Sequence, residues 1–199
     1  MIAIIDYGAG NIFSVKNALD YIGLPGQLTD KKEDIANADG IILPGVGAFP
    51  AAMNMLQERG LISTLQEQAR IKPFLGICLG MQLLFEKGFE FGETDGLGLI
   101  PGTVEKMVEP DLSIPHIGWN KLEFVNDCPL LQGLSTDEYV YFVHSYKAVC
   151  KDENIAAYCE YGHRVSALVF DGNVFGAQFH PEKSGKTGLQ ILKNFGGLL

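Results

Sequence analysis

The chain is short of three things, and each shortage removes a class of function. Basic residues are outnumbered, 15 lysines and arginines against 24 aspartates and glutamates, for a formal charge of -9. That balance offers no positive footprint, so neither nucleic acid nor a membrane surface is an expected partner. Uncharged apolar runs are all shorter than the ~20 residues a membrane-spanning helix needs. The first run, Met1-Ile2-Ala3-Ile4-Ile5-Asp6, has no basic flank before it and no small-residue cleavage site after it, so it predicts a strand rather than a leader. Cysteine is scarce as well. Cys78, Cys128, Cys150 and Cys159 stand far apart without a C-x-x-C pair, which fits neither a zinc site nor a disulfide framework and points to a reducing cytoplasm. What is present, 199 residues of which 47% are hydrophobic and 20% charged, suffices for one soluble domain, 1–199, with a substantial core.

Along the chain, short apolar runs alternate with helical spacings. Ile2–Ile5 predicts a strand, Tyr7-Gly8-Ala9-Gly10-Asn11 a turn and Ile12–Ile22 a helix. Strands near Gly26–Leu28 and at Gly40–Leu43, and helices at Lys32–Asn37, Phe49–Gln57 and Leu61–Ile71, continue the pattern. Continuous apolar strands separated by helices imply an α/β fold with an open, mostly parallel central sheet buried on both faces. Beyond Gly88 glycines interrupt, and the alternation in Tyr139–Val143 and Val165–Phe170 predicts antiparallel hairpins in the C-terminal half, with Asp171-Gly172-Asn173 as one turn. A strand at Val174–Phe179 and a helix at Gly188–Phe195 close the chain.

The stretch with the most chemistry is Phe74-Leu75-Gly76-Ile77-Cys78-Leu79-Gly80-Met81-Gln82. An apolar run reaches a cysteine, glycines stand two positions to either side, and apolar residues at helical spacing follow as far as Gly88. This is the pattern of a nucleophile elbow, in which the flanking glycines remove side chains that would collide in a strained strand-to-helix turn. Cys78 is expected to stand exposed at a helix N-terminus, where unpaired N–H groups favour thiolate and receive an oxyanion. A cysteine between glycines can equally be a small buried hydrophobe. The second stretch is Ala177-Gln178-Phe179-His180-Pro181-Glu182. Proline holds the residue before it extended, so His180 and Glu182 are expected to project to one side of an extended segment at a strand end, a base beside its orienting carboxylate. Two looser patterns fail: Gly8-Ala9-Gly10 lacks the third glycine and acidic partner of a dinucleotide loop, and Gly185-Lys186-Thr187 has His180 where a phosphate loop begins with glycine.

Gly76-Ile77-Cys78-Leu79-Gly80-Met81-Gln82 together with Phe179-His180-Pro181-Glu182 resembles the class I, triad-type glutamine amidotransferases. Asp6–Asn11, Leu43–Phe49, Pro115–Asn120, Val143–Tyr146 and His180–Ser184 extend the likeness, end to end, to the glutaminase subunits of imidazole glycerol phosphate synthases. The resemblance implies Cys78 as nucleophile, His180 as base and acid and Glu182 as its orienter, with the Val46 and Leu79 N–H groups as the oxyanion hole. Gly47, Gln82, Glu90, His144, Ser145 and Tyr146 match positions that hold glutamine. It further implies a heterodimer with a cyclase subunit, a (β/α)8 barrel that uses the ammonia to make imidazole glycerol phosphate and an aminoimidazole carboxamide ribotide, and it calls for no metal or organic cofactor. Pro50 departs from the pattern. A cysteine hydrolase acting on γ-glutamyl peptides and a non-catalytic binding module are the competing classes. Trp119, the single tryptophan, reads equally as core or interface anchor by itself; the resemblance places it, with His116 and Asn120, towards the partner.

Overall fold

The computed structural model describes residues 1–108 and 111–199. Its first half runs β1 (Ile2–Ile5), α1 (Ile12–Tyr21), β2 (Gly26–Thr29), α2 (Lys32–Asn37), β3 (Gly40–Gly45), α3 (Phe49–Glu58), α4 (Ile62–Ala69), β4 (Phe74–Cys78) and α5 (Leu79–Gln82). Its second half holds β5 (Phe85–Gly88), β6 (Thr94–Asp95), β7 (Ile100–Lys106), β8 (His116–Lys121), β9 (Glu123–Phe124), β10 (Tyr139–His144), β11 (Tyr146–Val149), β12 (Ile155–Tyr161), β13 (His163–Asp171), β14 (Val174–Ala177) and α6 (Gly185–Gly196).

The main sheet has eight strands in the order β2-β1-β3-β4-β14-β13-β12-β9. The first five pair in parallel and the last three continue antiparallel, as expected for the two halves. Every residue of β1, β3, β4 and β14 is buried, because helices cover both faces. Ile2, Ile4, Ile42, Leu75 and Ile77 pack with Val15 and Leu19 of α1 and Ile191, Leu192 and Phe195 of α6. Ala3, Ile5, Ile41, Leu43 and Phe74 pack on the other side with Ile35, Leu56 and Leu65. At about 1.5–3 kcal/mol for each large apolar side chain fully buried, this double-sided core sets β4 and β14 firmly side by side, with Gly76 opposite Gly176 and Ala177 opposite Ile77.

Beyond the elbow the structure departs from the sequence pattern. The helix expected as far as Gly88 makes only the single turn of α5, and Phe85–Gly88 is a strand. Leu84 and Phe85 turn their carbonyls to the N–H groups of Ile100 and Gly98, and β5 joins β7 and β6 in a separate four-stranded sheet completed by β11. Gly88 is no helix cap: a side chain there would strike the ring of Phe49 at 2.7 Å, so close packing is what requires glycine. Pro50 falls in the first turn of α3, where its missing N–H costs nothing. Finally, β8 and β10 form a two-stranded ribbon of their own.

Candidate active site

Cys78 ends β4 with φ 55° and ψ -113°, the left-handed region that a non-glycine residue occupies at a cost of about 1–3 kcal/mol. The glycines explain how the turn closes. A Cβ on Gly80 would lie 1.8 Å from the carbonyl oxygen of Leu43, and one on Gly76 2.5 Å from the carbonyl oxygen of Gly80. The backbone of the elbow is therefore packed directly against β3 with no room for side chains. Cys78 itself is only 7% exposed, correcting the expectation of an exposed nucleophile. It lies on the wall of a cavity of about 390 Å³, a size usual for small-molecule sites, and its thiol points to the carbonyl of Val143 at 3.8 Å. With α5 a single turn, the helix dipole contributes little; the neighbours of the sulfur matter more.

His180 lines the same cavity and is 2% exposed. It sits just past β14, and a 3-10 turn at Pro181–Lys183 folds Glu182 back so that its Oε1 lies 2.8 Å from Nδ1 of His180. The pair is thus made by a turn, not by the extended segment expected, since Pro181 suits the first residue of a helical turn as well as it suits a strand end. Burial by itself lowers the pKa of this imidazole; the Cys78 sulfur and the Glu182 carboxylate outweigh it and carry the value up to about 9. Two further bonds fix the backbone of His180. Its N–H donates to the Tyr141 carbonyl at 3.0 Å, and its carbonyl accepts the Ser184 hydroxyl at 2.6 Å, while that hydroxyl accepts the N–H of Tyr141 at 3.0 Å.

Around this centre the cavity gathers Val46, Gly47, Leu79, Gln82, Glu90 and the His144-Ser145-Tyr146 run, all singled out from sequence. Glu90 has one carboxylate oxygen on the N–H of Phe49 at 2.7 Å, capping α3. The amide nitrogen of Gln82 is taken by the Tyr146 carbonyl at 3.2 Å and by Gln178 at 3.0 Å, so only its oxygen remains for a ligand. The trio His116, Trp119 and Asn120 is divided. Trp119 is 57% exposed, which removes the core reading, whereas His116 is buried between the rings of Phe142 and Tyr161, and Asn120 bonds to the Glu160 carbonyl at 2.7 Å.

Sequence reasoning missed three residues of the site. Pro115 and Val143 line the cavity through the ribbon, whose position no local pattern reveals. Gln178 is wholly buried with its amide nitrogen 4.0 Å from the Cys78 sulfur. A signal for it existed: a lone amide inside the apolar run Val174–Phe179 asks for a buried polar partner.

Comparison with known proteins gives three findings. The model of the family described as "Glutamine amidotransferase class-I" matches residues 3–197. Two curated relatives named "Imidazole glycerol phosphate synthase subunit HisH", from Bacillus cereus strains B4264 and G9842, are 55% and 56% identical over 200 residues, covering 100% of this chain and 95% of each relative. Among solved structures, one titled as a glutamine amidotransferase superposes with a TM-score of 0.76 at 21% identity, covering 98% of this chain and 100% of the other. The PurLQS structure from Thermotoga maritima gives 0.74 at 22% identity, with 98% and 97% covered. At that identity they share its fold: the mostly parallel sheet with antiparallel strands in the C-terminal half.

Proposed function

The chain belongs to the class I glutamine amidotransferase family, and we infer from this membership and from the site that it is the glutamine-hydrolysing subunit of an imidazole glycerol phosphate synthase, supplying ammonia in histidine biosynthesis. The observation that carries the reading is one cavity lined by Cys78 on a strained elbow and by His180, itself backed by Glu182 at 2.8 Å. Cys78 as thiolate attacks the carboxamide carbon of glutamine, and the N–H groups of Leu79 and Val46 receive the oxyanion. Protonated His180 gives its proton to the departing ammonia, leaving a thioester; a water deprotonated by His180 then attacks the thioester, releasing glutamate and restoring the thiolate and the protonated imidazole. Glu182 keeps the imidazole in register. Gly47, Glu90 and the His144-Ser145-Tyr146 run hold the substrate's amino-acid end, with the oxygen of Gln82.

The partner in this reading is the cyclase subunit, a (β/α)8 barrel, and the two make a heterodimer in which ammonia passes to an aminated ribulotide phosphate. Exposed Trp119 and Ile117 on β8 support a docking surface beside the cavity, and four free thiols support a cytoplasmic setting. Among the described residues no helix is long and apolar enough to cross a membrane. The test is hydrolysis by the purified chain with its co-expressed barrel, glutamine competing against γ-glutamyl peptides. Glutamate released in step with imidazole product is expected; a preference for γ-glutamyl peptides without coupling makes this a cysteine hydrolase instead. A thiol-directed glutamine analogue should label Cys78, and failure to label would leave a non-catalytic module.

A further inference from the structure

One backbone carbonyl determines how several buried polar side chains must be oriented. The oxygen of Tyr146 can only accept, and it lies 3.2 Å from the amide nitrogen of Gln82 and 2.8 Å from Nδ1 of His144. His144 therefore carries its proton on Nδ1, and Gln82 presents its –NH2 group. From Gln82 the constraint passes inward. The same nitrogen reaches Gln178 at 3.0 Å, where it must meet the oxygen, and this turns the –NH2 of Gln178 to the Cys78 sulfur at 4.0 Å.

From His144 the constraint passes outward. Its Nε2 holds a lone pair, so the Nδ1 of His116, 3.0 Å away, is the donor, and His116 Nε2 is left to accept from the amide nitrogen of Asn120 at 3.5 Å. Asn120 supplies an independent check. Its nitrogen donates to the Glu160 carbonyl at 2.7 Å and its oxygen accepts the N–H of Lys121 at 2.8 Å, so the backbone alone sets the orientation that the two histidines require. Had either tautomer been reversed, two donors or two acceptors would face each other in a site where Gln82, His116, His144 and Gln178 are all buried. Burial, the largest cause for both rings, lowers the pKa of each to about 4, so both are neutral at physiological pH as this pattern demands.

At the inner end the sulfur faces His180, whose pKa it raises, and it has two further neighbours of opposite character. The Val143 carbonyl at 3.8 Å needs an S–H to accept; the Gln178 amide donates, and needs a sulfur lone pair. On ionisation the first contact is lost and the second becomes charge-assisted. We propose that Gln178 is a further catalytic residue, whose N–H holds the Cys78 sulfur as the thiolate, and that Gln82, His144, His116 and Asn120 form a polar chain from the β8–β10 ribbon that positions it. The inference rests on the reading of Cys78 as the nucleophile and names how its reactivity is set.

The test measures Cys78 alkylation by iodoacetamide at pH 7, located by peptide mass spectrometry, alongside glutaminase kinetics of the complex. Gln178→Met keeps the length and removes the donor. Alkylation and kcat are expected to fall together by about tenfold, with KM for glutamine within about twofold, because Gln178 does not line the cavity. His116→Phe preserves the stack on Phe142 and Tyr161 while removing the donor to His144, and should slow alkylation by about threefold. In the double variant the loss should equal that of Gln178→Met alone. Multiplying losses would sever the chain, and unchanged alkylation in a folded Gln178→Met protein would overturn the role of Gln178. If Gln178→Met does not fold, Gln178→Glu, which still accepts from Gln82 but offers the thiolate a carboxylate oxygen, must slow alkylation for the proposal to stand. Iodoacetamide needs no substrate, so loss of alkylation in a protein inert towards glutamine would retain the proposal and reject only the function.

Discussion

The elbow at the end of β4 and the β8–β10 ribbon border the same cavity, yet they are built on opposite principles. In the elbow nothing is spare: β3, β4 and β14 are buried throughout, and the carbonyl of Leu43 lies where a Gly80 side chain would begin. The ribbon has one committed face, with His116, Val140, Phe142 and His144 buried, and one open face with Ile117, Trp119 and Tyr139 at 59%, 57% and 52% exposure. Position of the Cys78 sulfur is thereby set by the sheet, whose backbone can relax very little. The facing wall of the cavity is carried by a thin element whose outer face is apolar and exposed. The position of the sulfur and the outer face of the ribbon can then be altered separately.

The contrast is broken most severely by adding a methyl group. Gly80→Ala drives a Cβ into the backbone of β3, which cannot move aside, and should cost more than ~4 kcal/mol, leaving little folded protein in a denaturant titration. Gly118→Ala in the ribbon meets no atom of the described residues within 4 Å and is strained by its φ of 139°, so about 1–3 kcal/mol is expected. Equal losses at the two glycines would show the ribbon to be as tightly determined as the elbow.

Chemistry at the elbow separates from its fold in the next experiment. Cys78→Ala should lose glutaminase activity by at least about a thousandfold while its melting temperature stays near that of the native chain, and His180→Ala should be nearly as inactive. Glu182→Gln still accepts from the imidazole and should keep about a tenth to a hundredth of the rate. Added ammonia should restore product formation by the complex in all three variants. A Cys78→Ala protein that still hydrolyses glutamine would remove the triad assignment, and a Glu182→Gln protein as inactive as His180→Ala would remove the ranking.

Much of the elbow could be read in the sequence because its constraints are local: glycine, cysteine, glycine and a preceding apolar run lie within a few residues, and sterics dictate the rest. The pairing of His180 with Glu182 was legible for the same reason, though the 3-10 turn that accomplishes it was not. The length of α5 was misread because apolar residues at Leu83, Leu84 and Phe85 suit a buried helix and a buried strand alike; pairing of β5 with β7, a long-range contact, decides. Gln178 and the pairing of the two histidines of the ribbon with each other were hidden because the partners lie 28 to 100 residues apart.

The two regions should also fail at opposite ends of the pH scale. The pKa of His180 is raised above its unfolded value, so its contribution to stability is complete below about pH 6.5 and is lost as pH rises through about 9. For His116 and His144 the values are lowered to about 4, and stability falls as pH drops from about 6.5 through 4, because the unfolded chain binds the protons first. Melting temperature against pH should therefore decline on both limbs. Cys78→Ala should flatten the alkaline limb and His116→Phe the acid one; a swap of these effects would contradict the assignment of limbs to regions.

Smaller still for the isolated chain is Trp119→Ala. The indole is more than half exposed, so stability should change by less than about 1 kcal/mol. In the complex, desolvating a tryptophan near the interface centre can contribute about 2 kcal/mol, and the variant's Kd should rise about thirtyfold, with more glutamine consumed per imidazole product. A large drop in melting temperature with unchanged coupling would mean that the ribbon's outer face serves the fold and not the partner.

The smallest change expected lies behind the elbow. Tyr7 is wholly buried in the loop after β1, its hydroxyl has no hydrogen-bond partner among the described residues, and a Cβ on Gly45 would come within 2.8 Å of it. Burial, and then the nearby Cys78, push its pKa well up, so it stays a neutral phenol. A buried hydroxyl that bonds to nothing retains the desolvation penalty, about 1–3 kcal/mol, without the compensating bond. Tyr7→Phe removes that penalty and leaves the ring in place, so the protein should be unchanged or stabilised by about 1 kcal/mol, with glutaminase activity within about twofold. Denaturant titration and steady-state kinetics decide together. A loss of stability would show that the hydroxyl is bonded in the folded chain, and a fall in kcat at unchanged stability would show that it finds its partner only during turnover, which would extend the catalytic machinery to the loop behind β3.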